Sequence, residues 1–397
     1  MHSANDNKKL TINYALIQMC YWMNFAAITG FTSVYLLHVG FTNTQIGVLI
    51  ALAGAVCSVL QPVLASYADR PASPSLKKIL IISSTGMILI AVLLLLLQKS
   101  LILTGFFYTV AVTMLQLIMP LINSLGMESL NQGKQLNYGI ARGMGSASYG
   151  IAAYILGVIV AAVGEVTVPV AMLLGFGALL LTLSAFPFQK MKKAKQEKTK
   201  KNDDGLIYFF RKYRRFCVTL CGCVFIYIGH VLINNFAFQI VESKGGGSSE
   251  MGLAIAVAAI VELPTMFLFG WMLKKVRVDI WFRISGIFFV LKSLGTLLAP
   301  NMMTYYVIQI FQMFGWALIT VSSVYYVNSI MEEQDAIKGQ AYMTMTYTLG
   351  SVLASLAGGV LIDAAGVNSM LGVSVAAGVI GMLIIMGTAG PSGEKKS

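Results

Sequence analysis

TQIGVLIALAGAVCSVLQPVLASYADR, residues 44–70, decides the fold. No charged side chain lies between Thr44 and the closing Asp69-Arg70 pair. A helix of about twenty apolar residues crosses roughly 30 Å of hydrocarbon and satisfies its own backbone hydrogen bonds on the way. Runs of this kind recur along the chain and predict spans near 11–38, 44–67, 78–98, 101–124, 139–163, 168–188, 215–241, 250–273, 279–299, 301–329, 339–363 and 368–388. The composition agrees, at 57% hydrophobic, 11% charged and a mean hydropathy of +0.76. A soluble chain carries about 25% charged residues. The expected fold class is an all-α membrane protein with twelve transmembrane helices in two six-helix bundles.

The net charge of +12 is placed, not spread. Of 28 Lys and Arg residues, 25 fall on the side of the N-terminus and its alternate connections. Lys99 and Lys244 lie on the other side, and Lys292 falls within a span. Cytoplasmic loops carry such an excess, so both termini are expected in the cytoplasm. The apolar stretch after Lys8 and Lys9 is too long for a signal peptide and lacks an A-x-A site, so it should persist as the first helix. The expected location is the cytoplasmic (inner) membrane of a bacterial cell, multi-pass.

The longest polar segment splits the chain into an N-terminal bundle, 1–188, a basic cytoplasmic linker, 189–214, and a C-terminal bundle, 215–397. Its Lys-rich start reads as a flexible connector, and LIYFFRKYRRF as a segment along the inner headgroups, so membrane lipids are expected partners. A connector explains the charge without nucleic acid. The halves are weakly alike: Gly47 pairs with Gly252 and Arg70 with Lys275, while Gly139 and Gly150 pair with Gly339 and Gly350. Six helices plus six with a central linker is the layout of rocker transporters, whose solute site lies near the bilayer midplane. Cys217, Cys221 and Cys223 match no zinc signature and read as small fillers; no metal and no cofactor is expected.

The stretch from Leu37 to Arg70, with Gly47, Gln61-Pro62 and Asp69-Arg70, resembles the second helix of the major facilitator superfamily. It is most similar to the lactose permease and oligosaccharide–proton symporter group. Ala65 stands where the superfamily's loop motif starts with Gly. NYGIARGMGSASYG, residues 137–150, resembles that group's fifth helix, an aromatic-Gly-x-x-Arg-x-x-Gly pattern. The resemblance implies that Arg142 binds substrate and that Tyr149, seven residues on and on the same helix face, stacks on a sugar ring. A guanidinium at this depth is costly unless it faces a cavity or an acid, and its planar fork suits sugar hydroxyls. The alternative is an Arg near the inner end that snorkels to headgroups. The family's helix-four carboxylate falls on Ser124, beside Asn123, and Glu128 one turn later is the candidate displaced partner.

Glu262 lies mid-span eight, where Pro264 frees a backbone carbonyl, and Lys292 lies mid-span nine. Pairing would remove much of their burial cost. In the symporter group helix nine carries an Arg where Lys292 falls, and helices eight and ten carry the proton-holding acids. Glu262 sits about a turn from the helix-eight acid, and Gln312 and Gly315 replace the family's His and Glu on helix ten. A carboxyl among apolar residues takes up a proton readily, and the approach of Lys292 would discharge it. Glu262 is therefore the expected proton carrier; a static ion pair is the alternative. His230 titrates near neutrality but equally fits a ring bonded to a carbonyl. Asn234, Asn235 and Gln312 are expected solute contacts, and Asp69 with Arg70 an inner gate or ordinary helix capping.

These residues point to a secondary active transporter, monomeric, that takes up a sugar or oligosaccharide with protons. A nucleoside–proton symporter is the near alternative, since Arg, Tyr and Asn also suit a ribose and base. A multidrug efflux antiporter is the next, with Met-rich spans lining a greasy cavity but little need for Arg142. A sensor or scaffold would have no use for costly buried charges. There is no G-x-x-x-x-G-K-[ST] loop for ATP and no nucleophile triad, so an enzyme is not expected.

Overall fold

The computed structural model describes residues 2–68, 70, 72–131, 136, 138–188 and 206–390. Asp69 and most of the Lys-rich linker lie outside them. Among the described residues all regular structure is helical. In chain order the helices are α1 (His2–Phe25), α2 (Thr32–Val39), α3 (Asn43–Ala68), α4 (Leu76–Leu96), α5 (Leu101–Asn131), α6 (Tyr138–Val163), α7 (Thr167–Ala185), α8 (Leu206–Lys212), α9 (Arg214–Asn235), α10 (Ala237–Ser243), α11 (Ser248–Met272), α12 (Val278–Leu298), α13 (Met302–Ile308), α14 (Trp316–Ile330) and α15 (Glu333–Thr388). A π-helical turn, Ala26–Gly30, joins α1 to α2, and a 3-10 segment, Gln309–Met313, lies between α13 and α14.

Among the described residues, ten helical stretches are long and apolar enough to cross a membrane. The expected twelve spans differ from this at two places. The first expected span is divided among α1, the π turn and α2, so no part of it passes as one long apolar helix. The last two expected spans both lie in α15, which breaks into two helices at Gly366, whose φ of 80° and ψ of 172° are not helical. Only glycine takes that backbone conformation without steric cost. Large apolar side chains turn outward along the helices, among them Val59, Ile102, Leu174, Phe267 and Leu383. Water would penalise such a surface, whereas lipid tails match it.

The described residues form two compact units: those up to 188 together with 247–259, and 206–246 together with 260–390. In the first, α1 packs on α6 and α7, α4 on α5 and α7, and α3 on α5. Its core holds Tyr14, Tyr21, Tyr35 and Tyr108, all essentially fully buried. A buried phenol needs an acceptor. Tyr21 Oη donates to the Leu115 carbonyl at 3.2 Å, Tyr35 to Leu94 at 3.1 Å and Tyr108 to Ile28, in the π turn, at 2.7 Å. Small residues let α6 and the start of α11 approach closely: a Cβ on Gly157 would lie 2.5 Å from the Ser248 carbonyl oxygen. His38, in the last turn of α2, meets Glu165 at 3.1 Å.

In the second unit α9 packs along α15, and α12 lies against α15 and α14. Phe282 and Tyr326 stack at 4.8 Å and 7° in its core, beside Phe216, Phe289 and Met343. Lys244 caps the end of α12 by donating to the Ala299 carbonyl at 2.7 Å, and burial pulls its pKa down. On the linker side Lys212 of α8 meets Glu332 and Asp335, both at 2.9 Å, and Tyr213 also donates to Asp335 at 2.9 Å. Hydrogen bonds to Glu332 and Asp335 push the Lys212 pKa up well above its usual value. Burial alone would raise that of Asp335, but its hydrogen bonds from Lys212 and Tyr213 prevail and lower it.

Candidate functional site

The first unit's polar cluster begins on α1. Tyr14, Gln18, Trp22 and Phe25 recur every three or four residues and so share a helix face. Gln18 is the hub: its Nε2 donates to Tyr14 Oη at 2.9 Å and to Asn123 Oδ1 at 3.4 Å, and its Oε1 accepts from Trp22 Nε1 at 3.2 Å. Asn123 Oδ1 also accepts from Tyr138 Oη at 3.1 Å, and Tyr14 Oη donates to the Ile122 carbonyl at 3.0 Å. Chains of this kind polarise one another and fix each side chain in one rotamer.

Arg142 of α6 sits on the aromatic edge of this network. Its Cζ lies 4.2 Å from the Trp22 ring centroid, and one Nη donates to Ser146 Oγ at 2.9 Å. A cation over an indole face gains about 0.5–2 kcal/mol. Gly145 makes the approach possible, since a Cβ there would stand 2.5 Å from the Trp22 ring. Tyr149 meets Trp22 edge-on at 6.2 Å and 87°, and Phe25 at 6.2 Å. Arg142 and Tyr149 are thus brought together through one indole. Glu128 lies half-buried near the end of α5, which runs on past Asn123 to Asn131. Arg70 is exposed in the turn after α3, where its carbonyl accepts from Ser73 Oγ at 2.7 Å.

The second unit's cluster is built from charges. Lys292, 3% exposed on α12, donates to Gln312 Oε1 at 2.5 Å. Gln312 Nε2 donates in turn to Glu262 Oε1 of α11 at 2.9 Å. The expected association of Glu262 with Lys292 therefore runs through Gln312, carried on the 3-10 segment. Gly315 follows with φ −85° and ψ −89°, which ends that segment before α14 begins. His230 of α9, 5% exposed, stacks on Trp316 at 4.6 Å and 8°, with Phe289 edge-on at 5.2 Å. Its Nε2 lies 2.8 Å from Asn234 Nδ2, which also donates to the His230 carbonyl at 3.0 Å. That contact makes Nε2 the acceptor and puts the proton on Nδ1. Asn235 donates to Ser355 Oγ of α15 at 2.9 Å, a helix-to-helix tie.

Among the described residues no group of three or more His, Cys, Asp or Glu is placed to hold a metal, and all five cysteines are free thiols. Sequence reading missed Gln18, Trp22, Tyr138 and Trp316. The signal for the first two was present, a Tyr14-x3-Gln18-x3-Trp22 row in an otherwise apolar helix.

The match of residues 14–384 to the MFS_1 like family model makes this polytopic helical chain a membrane transporter of the major facilitator type. The chain belongs to that family. Among solved structures it is similar to the nucleoside transporter NupG, with a TM-score of 0.77 and 14% identity over 96% of this chain and 98% of that one. A bacterial homologue of the iron transporter ferroportin, inward-facing, gives 0.70 and 12% over 96% and 98%. A bacterial homologue of the human lysosomal transporter Spinster, inward-facing and unoccupied, gives 0.66 and 13% over 96% and 97%. No curated protein matches the sequence.

Proposed function

We propose that this chain is a secondary active transporter, not an enzyme, that takes up a sugar or oligosaccharide with protons by alternating access. The observation that carries this reading is the joining of Arg142 and Tyr149 through Trp22, next to the Gln18–Asn123–Tyr138 network. Aromatic faces suit the apolar side of a pyranose ring, and amides with a guanidinium suit its hydroxyls. In this reading Arg142, Tyr149 and Asn123 bind solute, joined by Gln18 and Trp22. Glu262 carries the proton, Lys292 discharges it, and Asp69 with Arg70 serves the inner gate. The chain works as a monomer without a cofactor in a bacterial cytoplasmic membrane, with both termini inside.

A nucleoside is the second reading. Gln18 and Asn123 each offer a donor and an acceptor, which also fits the edge of a base, and NupG, similar in fold, is a nucleoside transporter. Drug efflux finds less support, because a fixed guanidinium and amide row is a poor host for lipophilic cations. The test is uptake into proteoliposomes from a panel of radiolabelled sugars and nucleosides, with and without an inward proton gradient. Accumulation of a sugar above equilibrium only with the gradient supports the first reading. Accumulation of nucleosides alone selects the second, and gradient-driven extrusion of lipophilic cations would sink both.

A further inference from the structure

We propose that Gln312 is a positioning residue whose amide reports the protonation state of Glu262 to Lys292. This rests on the reading of Glu262 as the proton carrier. The geometry is a three-member chain: ammonium to amide oxygen at 2.5 Å, and amide nitrogen to carboxylate at 2.9 Å. Lys292 is 3% and Gln312 6% exposed, so little water competes for the bond between them, whereas Glu262 is half-buried.

The two ends of an amide are not interchangeable. The oxygen only accepts and the nitrogen only donates, while an ammonium only donates and a carboxylate only accepts. With Lys292 charged and Glu262 ionised, the amide therefore has one workable orientation. Adding a proton to Glu262 changes what that side chain needs. Its bond from the Gln312 nitrogen loses charge assistance and becomes roughly half as strong. Its new O–H also seeks an acceptor, and the amide's acceptor is the oxygen already engaged by Lys292. Protonation thus sets the acid and the ammonium in competition for one oxygen, which loosens the hold on Lys292.

The backbone favours such a response. Gln312 is carried on a 3-10 segment, whose hydrogen bonds have poorer geometry than those of an α-helix, and non-helical Gly315 follows it. A small shift there need not unwind α14. The titratable groups around the chain are Lys292 on α12, Glu262 on α11 and His230 on α9. Lys292 acts electrostatically on both of the others. The His230 ring is held by Trp316 and Asn234, so the moving member is the amide.

The test is a pH titration of the full chain in liposomes by infrared difference spectroscopy. A protonated-carboxyl band present in the wild type and absent in Glu262→Gln reports this acid. Gln312→Met keeps the bulk but offers no N–H, and is expected to move the band's midpoint to higher pH by about one unit, a tenfold change. Gln312→Glu replaces the donor with a second acid and moves it further the same way. Should Gln312→Met fail to fold, the Gln312→Glu shift alone decides. A midpoint unchanged in the folded variants overturns the role of Gln312 but leaves Glu262 as carrier. Loss of the band in no variant, Glu262→Gln included, overturns the carrier reading as well.

Discussion

The two polar clusters use the same kind of connector, a buried glutamine, for opposite ends. Gln18 joins neutral partners, Tyr14, Trp22 and Asn123, with the single nearby cation spread over an indole face. Gln312 joins an ammonium to a carboxylate. The first arrangement offers many weak, directional contacts and is indifferent to pH. The second stakes much free energy on one proton. In the function proposed above, recognition and energy coupling make these different demands, and each unit would meet one of them.

The comparison breaks most visibly at Lys292. Removing one partner from a buried charged contact costs about 3–5 kcal/mol, because the other is left uncompensated. Lys292→Met should therefore lower the thermal unfolding temperature in detergent more than any change in the first cluster. Adding Glu262→Gln should restore part of the loss. If the double variant is no more stable than the single, the chain through Gln312 is not an energetic unit.

Arg142→Ala is expected to weaken solute binding at least tenfold while the unfolding temperature moves little. A cation–π contact contributes only about 0.5–2 kcal/mol. Arg142→Lys should recover little, since an ammonium lacks the planar fork. Equilibrium binding of the solute found by the uptake panel measures both. Gln18→Leu probes the neutral hub. It leaves Asn123 and Trp22 each short of a partner, at about 1–3 kcal/mol, and solute affinity should fall without any change in its pH profile. A pH-dependent defect would erase the contrast between the clusters.

The smallest effect belongs to the exposed charges. Contacts such as Lys212 with Asp335 and Glu332 contribute about 1 kcal/mol or less. Because the Asp335 pKa is lowered on folding, its contribution is present above the ordinary carboxylate range and disappears as pH falls through the folded value. That of Lys212, whose pKa is raised, is full at neutrality and fades only in strong alkali. Asp335→Asn should flatten the acid limb of a plot of unfolding temperature against pH and leave transport at neutral pH unchanged.

The spans were legible in the sequence because lipid demands long apolar runs, and charge placement gave them a sidedness. Arg142 and Tyr149 were legible as one face because seven residues make nearly two helical turns. Gln18 and Trp22 share a face with Tyr14 by helical spacing, but their partners Asn123 and Arg142 lie on other helices and only the fold brings them there. Gln312 was legible as a polar group within a span and an expected solute contact, but its bonds to Lys292 and Glu262 were not. Those bonds are made from a 3-10 segment, whose place in the chain no composition signal announced. The wide turn inside the first expected span was not legible, whereas the break between the last two falls at Gly366, in the gap between the expected 339–363 and 368–388.

The wide turn at Ala26–Gly30 has a consequence for heredity. An extra residue wound into a helix turns everything beyond it by about 100° relative to what precedes it. Trp22 and Phe25 can thus address one neighbour while Tyr35 is buried against Tyr108. Loss of a single codon in this stretch would restore ordinary winding and swing Tyr35 out of its socket, so insertions and deletions here should be far less forgiving than point changes.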